Sequence, residues 1–405
     1  MISHYFHSVY SAEAADRLLD SMSVHGFLVE QGLRMPGLRT IGDNVNLVSE
    51  ETLQLILRCQ LQLAFVEGLD EFQEICGDST SCAANTQHPT DSGLIHRLLE
   101  RVHRNGQHLA KFGLPPFREF RTGNWLATLD SLDFAINNAR NARKRKKLYR
   151  KYLEVAAKLI WRFDKEAERV CGLPETACLD PVGRARLDRL WDRTVSDLAD
   201  ACHIHGRCEE RVLDGKPPKG THRVLSTGDR AASWIAKGNR IPVIGYKPQL
   251  ARSGNGFVAA LLVPEGNAAD SAMLLPLVHE AMDNTGVKLK LAGFDDGYTS
   301  KANHKALAKL KVKHISFSGS KALKLVGEEA YADPVLAKAR ADRSAVESLM
   351  FCLKHVHGFG RLRRRGIAAV RAELTGKVIV YNMRRAIMLR ARGTQCDAEP
   401  DAQAA

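Results

Sequence analysis

The stretch VKLKLAGFDDGYTSKANHKALAKLKVKHISF, residues 287–317, carries the pattern that decides the fold. Val287–Phe294 and Val312–Phe317 are short runs rich in apolar and β-branched residues, which predicts two strands. Lys301–Leu310 lies between them and predicts a helix. Strands that alternate with helices in this way are typical of the parallel part of a sheet.

The segments outside this stretch add antiparallel strands and more helices. A hairpin is predicted where two apolar runs are joined by SGNG, residues 253–256. Asp270 is predicted to cap the helix that follows. The predicted elements are a strand at Phe72–Thr80, strands at Ile241–Ala251 and Gly256–Pro264, a helix from Ser271 to about Asp283, and helices over about 341–357 and 366–391.

The order of these elements predicts a fold class. A first strand is followed by a long helical stretch, a hairpin, and then alternating helices and strands. With the helical stretch set aside, three antiparallel strands precede the parallel ones, which is the order of the ribonuclease H-like fold. We therefore predict an α/β protein with a ribonuclease H-like mixed sheet, a large all-helical insertion after the first strand and a helical N-terminal region.

The same patterns divide the chain into regions. Ala12–Met22 and Glu50–Phe65 have apolar residues at helical spacing, and Ser49 stands at the N-cap position of the second helix. The segment GKPPKGTH, residues 215–222, predicts a linker. The predicted regions are a helical N-terminal region at 1–65, the first strand of the ribonuclease H-like domain at 66–92, a helical insertion at 93–218, the rest of the ribonuclease H-like domain at 219–392 and a disordered tail at 393–405.

Charge is unevenly distributed along the chain. The 405 residues carry a formal net charge of +13. Residues 1–75 hold 11 acidic residues against 4 Arg, a balance of −7, so the other 330 residues carry +20. A basic main body indicates a polyanionic partner, nucleic acid before an acidic membrane.

Other bulk features favour a cytoplasmic protein. The N-terminus has no basic start followed by an apolar run, and the longest apolar runs, such as Phe257–Val263, are too short to cross a bilayer. Nine cysteines at irregular spacings argue for reduced thiols rather than a disulfide framework. We expect a cytoplasmic location in a bacterial cell, associated with the nucleoid.

Three acidic residues stand where this fold brings side chains together. Asp78 lies at the end of the first strand, Asp295 follows the strand Val287–Phe294, and Glu347 lies in the helix after the last strand. Clustered carboxylates repel one another unless a hard cation lies among them, and Mg²⁺ prefers such oxygen ligands. Two Mg²⁺ or Mn²⁺ ions about 4 Å apart can activate a hydroxyl and stabilise the leaving oxygen in phosphoryl transfer. With 46 acidic residues in the chain, a trio alone also fits chance.

Two cations lie on the same helix face as Glu347. At 100° per residue, Arg343 to Glu347 advances about 400° and Glu347 to Lys354 about 700°, so the three side chains share a face. A carboxylate between two cations suits a phosphate backbone resting over metal ions. An ordinary surface ion-pair face is the alternative interpretation.

At these residues the sequence resembles the insertion-sequence transposases with the signature Y-x2-R-x3-E-x6-K. Arg343, Glu347 and Lys354 match that spacing, whereas Arg340 stands at the Tyr position. The motif DDGYTS, residues 295–300, is similar to the family's D-x-G-[YF]-x-S around the second catalytic Asp, and this alignment selects Asp295 over Asp296.

The resemblance also identifies the first Asp. DSTSCAANTQHPTDS, residues 78–92, is similar to a segment of one transposase subgroup in which the leading Asp is the first metal ligand. That subgroup has Glu where this chain has Ala83. Asp229 in VLSTGDRAA is the alternative first Asp, because this segment also looks like a catalytic strand. The resemblance implies action on the terminal inverted repeats and target DNA, as a homodimer or higher multimer on double-stranded DNA.

Further basic residues are candidates for DNA contact. The run ARNARKRKKLYRKY, residues 139–152, holds eight Lys and Arg in fourteen residues, which favours phosphate contact over a merely solvated helix face. Lys247 lies in GYKPQL, which resembles a later, noncatalytic family segment. The candidate DNA-binding residues are Arg343, Lys354, Arg143, Lys144, Arg145, Lys146, Lys147 and Lys247.

Two other interpretations of the sequence remain. The cysteines and histidines of CHIHGRC, residues 202–208, with Cys171 and Cys178, invite a zinc site, but their spacing fits no common zinc module. For the whole chain, the main alternative to an active transposase is a catalytically silent relative that binds DNA as a regulator. A helical interaction protein with accidental motifs is a third hypothesis, which the ordered motifs disfavour.

Overall fold

The computed structural model describes residues 26, 28–34, 37, 40, 44, 47–177, 179–216, 224–236 and 241–396. The chain forms two compact units. The sheet unit consists of the chain up to Thr86 and from Ala231 onward, and the helical unit consists of Gln87–Arg230. The helical unit therefore interrupts the sheet unit after its first strands, and the predicted insertion at 93–218 lies within it.

The secondary structure alternates between the two units in chain order. The helices in the described part are α1 (Glu50–Val66), α2 (Asp91–His108), α3 (Thr122–Asn137), α4 (Ala142–Val170), α5 (Leu173–Thr176), α6 (Pro181–Val212), α7 (Asp270–Thr285), α8 (Lys301–Lys309), α9 (Ser320–Val326), α10 (Glu328–Tyr331), α11 (Pro334–Asp342), α12 (Ser344–His355) and α13 (Ile367–Cys396). The strands there are β1 (Glu74–Ser79), β2 (Cys82–Ala83), β3 (Ser233–Ile235), β4 (Val243–Tyr246), β5 (Gln249–Ser253), β6 (Val258–Leu262), β7 (Leu291–Phe294) and β8 (His314–Phe317).

Five strands of the sheet unit form a mixed sheet in the order β6-β5-β1-β7-β8. β6, β5 and β1 pair antiparallel, whereas β1, β7 and β8 pair parallel. Ile75–Ser79 of β1 are buried, as expected for a central strand with both faces covered. This is the strand order of a ribonuclease H-like sheet, which confirms the predicted fold class.

A smaller antiparallel sheet in the same unit corrects one predicted strand. β4 pairs with β2 and β3, whereas β5 belongs to the large sheet. The predicted single strand Ile241–Ala251 is therefore wrong, because the chain changes sheets at Lys247 and Pro248. Pro248 has no N–H to donate to a strand ladder, but its carbonyl accepts a hydrogen bond from Thr80 N at 3.0 Å.

The start of α7 also differs from the prediction. Asp270 is the first residue of this helix rather than its cap, and Ala269 at the N-cap position makes no side-chain hydrogen bond. The Asp270 carboxylate instead contacts Lys247 Nζ at 2.8 Å and accepts a hydrogen bond from Gln249 Nε2 at 3.0 Å. These side chains take up the oxygen that a capping residue offers to backbone amides.

Helix α1 packs against α7 and α13 of the sheet unit. Its buried residues Leu53, Leu57, Leu61 and Ala64 recur every three or four positions, which gives the helix one apolar face. Ser49 caps the helix as predicted, accepting a hydrogen bond from Thr52 N at 3.3 Å.

The helical unit has its own core among α2, α3, α4 and α6. Asp197 of α6 is fully buried and accepts hydrogen bonds from Arg101 and Arg230. Arg101 Nη1 also donates to Thr227 O at 2.7 Å. These contacts hold the segment 224–230 against α2 and α6.

Three further predictions concern residues that lie partly or wholly outside the described part of the chain. The predicted helix Ala12–Met22 and residues 217–222 of the predicted linker lie outside the described residues. Helix α13 continues to Cys396, so predicted disorder from Gly393 is wrong for four residues, and 397–405 lie outside the described part. In the part of the chain that the structure describes, no helix is long and apolar enough to cross a membrane.

Candidate active site

The parallel pair β1 and β7 brings two of the predicted carboxylates to one edge of the sheet. Gly77 is paired with Phe294. Asp78 and Asp295 come directly after these two residues, so they stand next to each other on neighbouring strands. A Cβ at position 77 would lie 2.2 Å from the Phe294 ring, so only glycine allows this close approach. The strand pairing thus places Asp78 beside Asp295.

Asp78 is almost completely buried, with 6% of the residue exposed. Its Oδ1 accepts a hydrogen bond from Ser79 N at 2.6 Å, and its Oδ2 lies 3.6 Å from Arg343 Nη1. The second oxygen therefore points toward the start of α12.

Asp295 turns the chain at the end of β7. Its Oδ1 accepts a hydrogen bond from Gly297 N at 3.0 Å and so caps the 3-10 turn Asp296–Tyr298. Asp296 has different partners, since its carboxylate accepts from Lys321 N at 3.0 Å and lies 3.8 Å from Lys321 Nζ. The two adjacent aspartates therefore have separate surroundings, and Asp295 is the one next to β1.

Arg343 lies at the junction of α11 and α12 and connects the other two predicted ligands. Its Nη1 is 3.6 Å from Asp78 Oδ2, and its Nη2 is 3.3 Å from Glu347 Oε1. The Glu347 side chain is 65% exposed, whereas that of Asp78 is 8% exposed. The guanidinium thus brings a buried carboxylate and a solvent-facing one to the same place.

Lys354 lies near the other end of α12, about 10 Å from Glu347 at 1.5 Å per residue. It is half-buried, and its charge acts on Cys82 of β2. Burial raises the pKa of the Cys82 thiol to about 12, an effect that Lys354 and Lys377 oppose. Lys354 therefore lies toward β2 rather than beside Glu347.

A buried polar network that the sequence analysis did not identify lies next to the carboxylates. Asp270 binds Lys247 and Gln249, and the Tyr298 hydroxyl donates a hydrogen bond to Gln249 Oε1. A Cβ at Gly297 would lie 3.2 Å from both Asp270 Oδ2 and Asp295 Oδ1, so these two carboxylates flank the same glycine. In the sequence, the signal that could have indicated this network is Gln249, a polar residue at a strand position that is buried.

The pKa of the Tyr298 hydroxyl reflects the negative charge of the carboxylates around it. Burial raises the pKa of its phenol well above the usual range, and Asp270, Asp78 and Asp295 raise it further. Three carboxylates thus act on one hydroxyl, which therefore stays protonated and remains a hydrogen-bond donor.

The donor chemistry of this edge fits a hard divalent cation. Asp78, Asp295 and Glu347 offer only carboxylate oxygens, the ligands that Mg²⁺ and Mn²⁺ accept. Among the described residues, no three His, Cys, Asp or Glu side chains lie together in the arrangement of a formed metal centre. Asp78 and Asp295 therefore lie at one edge of the sheet, Glu347 is connected to Asp78 through Arg343, and the three carboxylates do not share a ligand sphere.

The remaining predicted residues lie elsewhere. Asp229 belongs to the helical unit, in a loop where its backbone N donates to Ser226 Oγ at 3.0 Å, and not in a strand. Lys247 has a side chain only 14% exposed and pairs with Asp270. The basic run occupies the start of α4, where five adjacent cations are all exposed, Arg143, Lys144, Arg145, Lys146 and Lys147.

Arg340, at the position where the signature has Tyr, lies against a tyrosine from another element. Its guanidinium carbon is 3.9 Å from the centre of the Tyr331 ring, and its Nη2 donates to Tyr331 O. An aromatic side chain is therefore present beside α11, supplied by α10.

Comparison with known proteins gives one match. Residues 208–383 match the family model for the transposase DDE domain. No curated protein and no solved structure matches the chain. The matched segment contains Asp295, Glu347, Arg343 and Lys354, and the ribonuclease H-like sheet adds Asp78 from β1. This part of the chain is therefore similar to the transposase DDE domain family.

Proposed function

We propose that the chain is an active DNA transposase that cleaves DNA at the inverted-repeat ends of an insertion element and joins those ends to target DNA. The observation that supports this best is the contact of Arg343 with both Asp78 and Glu347, beside Asp295 on the neighbouring strand. Double-stranded DNA is the partner, bound by a homodimer or higher multimer.

The proposed mechanism gives each residue a role at the sheet edge. Asp78, Asp295 and Glu347 would hold divalent ions, either Mg²⁺ or Mn²⁺. When bound, such ions would polarise the attacking and leaving oxygens. Arg343 fixes Asp78 and Glu347 through its two terminal nitrogens and offers its remaining N–H donors to a phosphate oxygen. The Asp270 network keeps the Tyr298 hydroxyl directed at Gln249, which supports the turn that carries Asp295.

A catalytically silent DNA-binding regulator is the second candidate. Two departures from the signature favour it, since Ala83 replaces a Glu and Arg340 replaces the Tyr. Ala83 is part of β2, and Arg340 is engaged with Tyr331. Both changes leave the three carboxylates in place, so we favour the active enzyme.

Strand cleavage separates the two candidates. The full chain is incubated with duplex oligonucleotides that carry the inverted repeats flanking its gene, with Mg²⁺, Mn²⁺ or a chelator. We expect nicks at the element ends that require the metal. Tight binding of these ends with no cleavage under any of the metal conditions would instead identify a regulator.

The basic start of α4 should supply nonspecific DNA affinity. Changing Arg143, Lys144, Arg145, Lys146 and Lys147 together to Gln should weaken duplex binding and flatten its salt dependence, because each lost phosphate contact removes about 0.9 from the log–log slope. Binding is measured by fluorescence anisotropy at increasing NaCl concentration. Replacing Arg143 and Arg145 by Lys keeps the charge and serves as the control. An unchanged slope for the Gln variant would show that this run is only a solvated face.

A further inference from the structure

A second basic segment lies in the sheet unit between α12 and α13. Residues 358–366 read GFGRLRRRG, with four arginines in five positions. Arg361, Arg363 and Arg365 are exposed, whereas Leu362 between them is 1% exposed. The alternation over Arg361–Arg363 is that of an extended strand, in which successive side chains point to opposite sides, and a bend at Arg364 follows it. Three exposed arginines thus occupy alternate positions of the segment.

The backbone of this segment is held against β2. Arg361 forms a parallel bridge with Ala83, Leu362 N donates to Ala83 O at 2.8 Å, and Ala83 N donates to Gly360 O at 3.0 Å. Further along, Asn85 Nδ2 donates to Arg363 O at 2.8 Å, and Arg365 Nε donates to Asn85 O at 3.1 Å. The segment is thus held along β2 by an isolated bridge and side-chain hydrogen bonds, rather than left as an unattached loop.

A buried ion pair fixes the same backbone from the other side. Glu373 of α13 is 5% exposed and accepts hydrogen bonds from the backbone N of Arg363 at 3.1 Å and of Arg364 at 2.8 Å. Lys377 Nζ donates to Glu373 Oε1 at 2.5 Å and to Gly358 O at 2.8 Å. Glu373 is therefore directed at two backbone amides and Lys377, and these contacts order the backbone before any ligand binds, which lowers the entropic cost of binding.

The segment is connected through β2 to the sheet edge that carries Asp78 and Asp295. β2 begins three residues after β1 ends, so Asp78 and Ala83 are at most about 18 Å apart along an extended chain. Lys354 acts on Cys82 of β2, which adds a fourth cation on the path from α12 to this segment. The arginines thus begin at β2, the strand that follows the one carrying Asp78.

The spacing suits a nucleic acid backbone. Alternate residues of a strand are about 6.6 Å apart, so the backbone positions of the three arginines span at most about 13 Å, or up to about four nucleotides of one DNA strand at 3.4 Å each. Guanidinium groups bind phosphates with paired hydrogen bonds. We propose that Arg361, Arg363 and Arg365 form a phosphate-binding strip that holds duplex DNA next to Asp78. The proposal deepens the proposed function and rests on it for the identity of the polyanion.

The test compares two variants of the full chain with the same loss of charge. The strip variant is Arg361→Gln/Arg363→Gln/Arg365→Gln, and the control is Lys305→Gln/Lys309→Gln/Lys313→Gln, three exposed cations in and after α8. Binding to a fluorescent duplex is measured in a chelator over a range of NaCl concentrations. We expect the strip variant to lose about 2.7 from the log–log slope, about 0.9 for each arginine, and the control to keep the wild-type slope.

Two results would overturn the proposal of a phosphate-binding strip. One is an unchanged slope in the strip variant, and the other is an equal loss in the control, which would mean that only net charge matters. If the triple variant lacks the wild-type thermal transition, single Arg→Gln variants are measured instead. Each is expected to lose about 0.9 from the log–log salt slope. Because binding is measured without metal, failure of the strip is separate from failure of the proposed function, which is judged by metal-dependent cleavage in wild-type protein.

Discussion

Replacing Asp78, Asp295 or Glu347 with Asn or Gln of the same shape should abolish metal-dependent DNA cleavage while leaving DNA binding largely intact. Each carboxylate would hold a metal ion that contributes several kcal/mol to the transition state. A loss of about 4 kcal/mol lowers the rate roughly 10³-fold. Binding depends mainly on Lys and Arg contacts to phosphates, which these substitutions leave in place. Single-turnover cleavage and anisotropy on the same oligonucleotides measure the two effects.

The choice of the first carboxylate is tested with a matched pair of variants. Asp78→Asn removes the charge that faces Arg343, whereas Asp229→Asn changes a buried residue of a loop in the helical unit. We expect cleavage to be lost in Asp78→Asn and kept in Asp229→Asn, with thermal unfolding followed for both. Full cleavage by Asp78→Asn, or its loss in Asp229→Asn alone, would show that the wrong Asp was chosen.

The fold was predictable because its decisive signals are local. The apolar runs before Asp295 and before Ser318 predict strands from a few residues each, and the helix between them is equally local. The failures come from tertiary context. Pro248 interrupts the predicted strand 241–251, but only the pairing of β4 with β2 and of β5 with β1 shows that its two halves belong to different sheets.

The candidate site was predictable in part for the same reason. Arg343 and Glu347 are four residues apart in the chain, so their contact follows from helical spacing. The contact of Arg343 with Asp78, and that of Asp270 with Lys247, join distant segments and required the sheet. The strip at residues 361–365 was missed because a run of arginines gives no hint that β2 and Glu373 order its backbone.

The two cations of α12 should respond differently to exchange, because they do different work. Arg343 contacts two carboxylates with two nitrogens, at 3.6 Å from Asp78 and 3.3 Å from Glu347. A lysine has one ammonium on a flexible stem and cannot reproduce this fork. We therefore expect Arg343→Lys to lower the single-turnover cleavage rate by about 10²-fold, the effect of losing one well-placed donor.

Lys354 should tolerate the reverse exchange. It lies about 10 Å from Glu347 along α12, too far to touch metal ions held there, so its expected contact is a phosphate next to the scissile one. Charge rather than shape matters at such a contact, and Lys354→Arg should change the cleavage rate by less than about fivefold, or about 1 kcal/mol. Lys354→Ala should instead weaken binding of the cleaved end, slow strand transfer and remove about 0.9 from the salt slope. Cleavage and joining are followed on oligonucleotides that carry the element ends. A silent Arg343→Lys together with an inactive Lys354→Arg would reverse the roles of the two cations, because shape would then matter at Lys354 and only charge at Arg343.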